Sequence, residues 1–112
     1  MIRTQLPLKT RPGLVQGVLD FYADRGILAR SLAQPGCLAA EIRVPLPVQD
    51  YVVVSAVWES ESAYQSWVGN PERATAAKDL NALLDNAEDH LGDAEISVIH
   101  DFRAARPGST AS

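Results

Sequence analysis

Three aromatic side chains, Trp58, Tyr64 and Trp67, fall within one short stretch of this chain. An indole N–H donates a hydrogen bond and cannot accept one, and its ring stacks on flat apolar molecules. Trp58, at the end of an apolar run, therefore has the parts to hold an aromatic ligand by one oxygen. Tyr64 and Trp67 are three residues apart and share a face of any helix that carries them, which adds a phenol and a second indole on one side. His100 shares an alternating strand pattern with Ile96, Val98 and Phe102. That pattern half-buries it, and an imidazole there could accept the proton of a phenol near neutral pH. The same residues also suit a plain core, where aromatics fill space and a histidine is held by structural hydrogen bonds. Cys37 reads as a small hydrophobe, with no helix N-terminus or basic neighbour to activate its thiol. His90 suits the negative end of a helix dipole, and Asn70 before Pro71 reads as turn chemistry.

The elements that must position these groups follow from the periodicity. Residues 2 to 9 alternate Ile2, Thr4, Leu6, Leu8 against Arg3, Gln5, Pro7, Lys9, a strand ended by Pro12-Gly13. From Leu14 the apolar spacing becomes helical through Val15, Val18, Leu19, Tyr22, Leu28 and Leu32, loosened at Gly26 and stopped at Pro35-Gly36. Cys37 to Val44 and Tyr51 to Glu59 read as two strands joined by a hairpin loop. Ser60 caps a short helix from Glu61 to Val68. Beyond Gly69-Asn70-Pro71 a longer helix is expected to about His90, with a stripe of Ala74, Ala77, Leu80, Leu84, Ala87 and Leu91 and a C-terminal cap at Gly92. Ala94 to Phe102 is the last strand. A domain over residues 1–103 and a flexible tail over 104–112 are expected.

Strand, helix, strand, strand, helix pair, strand is the split βαβ, ferredoxin-like plan of the α+β class, a four-stranded antiparallel sheet with helices on one face. The third strand is apolar or small on both faces, Val52, Val54, Ala56 and Trp58 on one and Tyr51, Val53, Ser55 and Val57 on the other. Helices cover one face only, so a second copy is expected against the other, making a homodimer through the sheet, a dimeric α+β barrel.

Composition narrows the function. The chain has 112 residues, 46% hydrophobic and 21% charged, which is enough for one core and not for two domains. A net charge of −4 with ten scattered Lys and Arg gives no basic stripe, so no nucleic-acid partner is expected. A single cysteine and two histidines ten apart exclude an intrachain disulfide and offer no zinc motif. No apolar run reaches the roughly 20 residues of a membrane span, and a cytoplasmic location without membrane contact is expected.

Pro35-Gly36-Cys37-Leu38 before a strand, followed by Trp58-Glu59-Ser60-Glu61-Ser62-Ala63-Tyr64-Gln65-Ser66-Trp67, resembles the signatures of the antibiotic biosynthesis monooxygenase family, over nearly the whole chain to Phe102. The resemblance implies a cofactor-independent monooxygenase that oxidises a phenolic or anthrone-type aromatic, polyketide-like, to a quinone with dioxygen. It places Trp58 and Tyr64 on substrate. It also places Lys78 where a family member has an arginine, a cation that could stabilise an enolate or peroxide. The same comparison puts Val54 where that member has a substrate-holding asparagine, a departure that removes a hydrogen bond. Catalytic candidates are thus Trp58, Tyr64 and His100, and substrate-binding candidates Trp67, Lys78 and Val54. An alternative is a non-catalytic small-molecule binder or cyclase-like accessory protein. A haem-degrading member would need a histidine on the second long helix and an asparagine on strand one, where this chain has Ala76 and only Thr4 or Gln5.

Overall fold

The computed structural model describes residues 1–85 and 94–105. Strand β1 is Ile2–Lys9, helix α1 Val15–Arg25, α2 Ile27–Leu32, β2 Cys37–Arg43, β3 Tyr51–Trp58, α3 Glu61–Val68, α4 Pro71–Leu80 and β4 Glu95–Val98. The sheet order is β2-β3-β1-β4, with every neighbouring pair antiparallel, so β1 and β2 run parallel with β3 between them. This is the ferredoxin-like split βαβ fold expected from the element order.

The long first helix is two helices. Gly26 takes a left-handed conformation at φ 59°, donates its N–H to the carbonyls of Tyr22 and Ala23, and redirects the chain into α2. Gly36 also has positive φ, at 86°, and a Cβ there would lie 2.7 Å from the Ala63 Cβ, so the Pro35-Gly36 pair lets the start of β2 pass close against α3. Cys37 then pairs with Trp58 while Ala39 pairs with Val57, a bulge at Leu38. The extra residue shifts the alternation, so Cys37 joins Ala40 and Ile42 on one face and Leu38 is left exposed.

Helix α4 is shorter than the expected span to His90. It ends at Leu80, passes through a 3₁₀ turn at Asn81–Leu83, and becomes extended at Leu84. The competing interaction is the end of β1. Arg11 N–H donates to Leu83 O at 3.0 Å, Asp85 N–H donates to Lys9 O at 2.8 Å, and Leu84 is buried as it bridges to Thr10. These backbone bonds and that burial outweigh continued helix. Ala74, expected in the stripe, is exposed, while Ala87, Leu91, the Gly92 cap and His90 lie outside the described residues. Strand β4 is likewise shorter than expected. It pairs with β1 up to Ile2↔Val98, Ile99 donates to Met1 O, and β1 supplies no further partner.

The core has two parts. Leu8, Val18, Tyr22, Val52, Leu80 and Leu84 close one end of the helix-covered face, and Ile2, Trp58, Tyr64 and Trp67 close the other. Between them the register aligns Ala40, Ala56 and Thr4 across three neighbouring strands, with Ala76 and Ala77 of α4 on the helical side of the same space. Small side chains on both sides leave a gap that the flanking clusters do not fill.

Candidate functional site

That gap is a cavity of about 90 Å³, opening partly to solvent. Its wall is mostly apolar, with Thr4 and Ser31 supplying hydroxyls from β1 and α2. An apolar space on which a few polar groups converge is the general form of a small-molecule site.

Trp58 is the most informative residue on the wall. It ends β3 at 1% exposure, wedged between Ile2 and Cys37 by the strand pairing, and meets Tyr64 edge to face at 5.7 Å between ring centroids. Its Nε1–H is buried and has no hydrogen-bond partner among the described residues. An unmade buried bond costs about 1–3 kcal/mol, so a donor left in this state on a cavity wall is poised for an acceptor that arrives with a ligand.

Helix α3 brings the other two aromatics inward. Ser60 Oγ accepts from Ala63 N–H at 3.2 Å, which fixes the helix start and turns Tyr64 and Trp67 to the cavity, both buried. Burial pushes the Tyr64 phenol above its ordinary pKa, partly offset by the Arg73 guanidinium. Tyr22, from α1, is pushed up to about 12 by burial, again with Arg73 opposing. Both phenols are therefore neutral at physiological pH and serve as donors, not as bases.

Helix α4 starts from an Asn70 cap, whose Oδ1 accepts from Glu72 N–H at 2.8 Å, with Pro71 in the first helical position. The helix then presents Arg73, Ala76, Ala77 and Leu80 to the cavity, a three-four-seven spacing. Lys78 lies about 100° around the helix from Ala77. It is exposed and does not line the cavity, so the cation on this helix that faces inward is Arg73. The position that the resemblance assigns to a functional cation, Lys78, is thus off the inward stripe.

The structure thus brings Trp58, Tyr64, Trp67 and Val54 to one cavity and leaves Lys78 and His100 outside it. His100 was expected half-buried on the last strand. It is exposed, because β4 stops at Val98 and His100 sits in a bend beyond the sheet. Arg73, Tyr22, Thr4 and Ser31 are cavity residues that the sequence reading passed over. The signal for Arg73 is its spacing to Ala76, Ala77 and Leu80, hidden by starting the stripe at Ala74, three before Ala77, and not at Arg73, four before it.

A ferredoxin-like α+β domain with an aromatic-walled cavity under its helices is the class that fold and site define. The family model for antibiotic biosynthesis monooxygenase matches residues 1–79, and the chain belongs to that family. No curated protein matches it. Among solved structures it is similar to proteins assigned to this family from three bacteria. That from Chloroflexus aurantiacus is 14% identical, with TM-score 0.68 over 92% of this chain and 96% of that one. That from Deinococcus radiodurans is 15% identical, with TM-score 0.69 over 95% and 97%. That from Nitrosomonas europaea is 8% identical, with TM-score 0.70 over 92% and 100%. At these identities the likeness concerns the fold.

If the small residues at 56 and 76 exist to keep the cavity open, filling it should abolish ligand binding without unfolding the protein. Ala56→Val is expected to hold or raise the melting temperature and to weaken binding of small aromatics at least ten-fold, measured by tryptophan fluorescence titration. A marked loss of stability with binding intact would show that Ala56 is there for packing.

Proposed function

We propose that the cavity is the site of an oxygenase that converts a small electron-rich aromatic, a phenolic or anthrone-type compound, to a quinone with dioxygen. The observation that carries this reading is the buried, unpartnered Trp58 Nε1–H on a cavity wall of aromatic and aliphatic side chains. Loss of a proton gives a phenolate or enolate whose oxygen accepts from Trp58, with neutral Tyr64 as a second donor. The anion passes one electron to dioxygen, and the resulting radical and superoxide combine at carbon. For a methylene between two rings, taking up a proton and expelling water from the hydroperoxide leaves the carbonyl. One oxygen atom enters the product and the other leaves as water, so that R₂CH₂ + O₂ gives R₂C=O + H₂O. The dry wall protects the reactive anion.

Val54 supplies only apolar surface in this arrangement. Among the described residues no histidine lines the cavity, and its single lining carboxylate, Glu72, is exposed and lies 3.9 Å from Arg30. With no base among those residues, the reading favours substrates that ionise readily by themselves. The same absence of an inner base supports a second reading, a binding protein that holds an aromatic without turning it over. A haem role finds no support, since the inward residues of α4 are Arg73, Ala76, Ala77 and Leu80 and none is an axial ligand.

We also propose that a second copy covers the open sheet face. Val53 beside Pro7 and Val57 beside Arg3 lie on that face, and the described helices all contribute to the opposite one. Arg43 of β2 donates to Gln5 of β1 across β3, so the interface would combine this polar bridge with the valines. Sedimentation velocity at micromolar concentration should give twice the 12.1 kDa chain mass, reduced to one chain in Val57→Glu. A monomeric native protein would contradict the pairing.

The oxygenase reading is tested by mixing protein anaerobically with anthrones and naphthalene or benzene hydroquinones, then admitting air while quinone absorbance and oxygen uptake are followed. The expected outcome is a rate above spontaneous oxidation that falls at least ten-fold in Trp58→Phe. The melting temperature should fall by no more than the smaller ring's lost packing explains, because the lost N–H makes no bond to the described residues. Binding with no rate above the spontaneous one would sink the oxygenase reading and leave the binder.

A further inference from the structure

Arg73 is in an unfavourable place for a cation with no task. It is the third residue of α4, inside the first turn, where the helix dipole favours negative charge. It is half-buried against an apolar cavity. Its neighbours show the ordinary solution: Arg25 pairs with Asp79 at 2.8 Å and Arg30 with Glu72 at 3.9 Å. The Arg73 guanidinium has no ion pair or hydrogen bond among the described residues.

The charge count of the cavity sharpens the point. Its charged lining residues are Arg30, Glu72 and Arg73, and the first two face each other across α2 and α4. Among the described residues one positive charge, that of Arg73, remains uncompensated. Its field reaches both phenols of the wall, since it opposes the effect of burial at Tyr22 and at Tyr64. The same cavity holds the unpartnered Trp58 Nε1–H. A lone cation and a lone donor therefore share one aromatic-walled space, and both lack the same thing, an acceptor.

We infer that the cavity takes an aromatic carboxylate, with Arg73 holding the carboxylate and the Trp58 indole N–H donating to an oxygen on the ring. A guanidinium presents two parallel N–H donors that match the two oxygens of a carboxylate, a fit that one ionised hydroxyl does not make. In a site of low polarity such a charge-assisted pair is stronger than in water. This rests on the reading of the cavity as a ligand site, and it holds whether or not the bound molecule is oxidised.

The test is binding under anaerobic conditions, by calorimetry, of 1-hydroxy-2-naphthoic acid and its methyl ester at neutral pH. The native protein should bind the acid at least ten-fold more tightly than the ester. Arg73→Gln should bring the two within two-fold by weakening the acid alone, and Arg73→Lys should keep part of the preference through its charge. Trp58→Phe should weaken both ligands and leave the ratio unchanged. Equal affinities in the native protein, a preference that survives Arg73→Gln in a variant with native circular dichroism, or no binding of either compound overturns the inference. A protein that prefers the acid but shows no oxygen uptake with it upholds the carboxylate site while sinking the oxygenase reading.

Discussion

The constraint on which this structure depends is the row of small side chains that the strand register sets across the sheet. Ala40, Ala56 and Thr4 are aligned on β2, β3 and β1, and α4 answers them with Ala76 and Ala77. A sheet and a helix layer normally meet at close-packed density, and an alanine on either side is usually matched by a larger residue opposite. Here small faces small. The aliphatic cluster at one end and the aromatic cluster at the other hold the layers apart like two posts, and the space between them persists because neither cluster reaches it.

The polar groups make sense against that space. A fold of this size is stabilised by about 5–15 kcal/mol net, and an indole N–H and a guanidinium without partners among the described residues both oppose it. Both are positioned by devices that hold the backbone firmly: β3 pairing on both sides of Trp58, and the Asn70 cap and Pro71 that set the phase of α4. The chain thus holds two donors in fixed places without acceptors, which is the preorganisation that binding an anionic or electron-rich oxygen requires.

Much of the fold was legible because its signals are local. The alternation of residues 2 to 9, the Ser60 cap and the Pro-Gly and Asn-Pro breaks state their elements within a few residues. The misreadings came from contacts between residues far apart in the chain. Nothing near Leu84 says that Thr10 will pair with it and end α4 early, and nothing near His100 says that β1 will run out of partners at Val98. The bulge at Leu38 depends on the meeting of β2 with β3. In the site, the aromatics were readable from type and spacing, since Trp58, Tyr64 and Trp67 carry their burial in their chemistry. Arg73 was not, because an arginine on a helix is usually solvated and only the phase of the stripe turns this one inward. Stepping back three residues from Ala77 reaches Ala74, and stepping back four reaches Arg73.

The claim at the centre is that the Trp58 N–H is a free donor awaiting a ligand. Proton–nitrogen NMR of the uniformly labelled protein gives one indole signal for each of Trp58 and Trp67, assigned with Trp67→Phe. Titration with a hydroxylated aromatic acid should move the Trp58 indole proton strongly downfield, as a hydrogen bond forms where none existed. A Trp58 signal that already lies downfield and stays fixed at ligand saturation would contradict it.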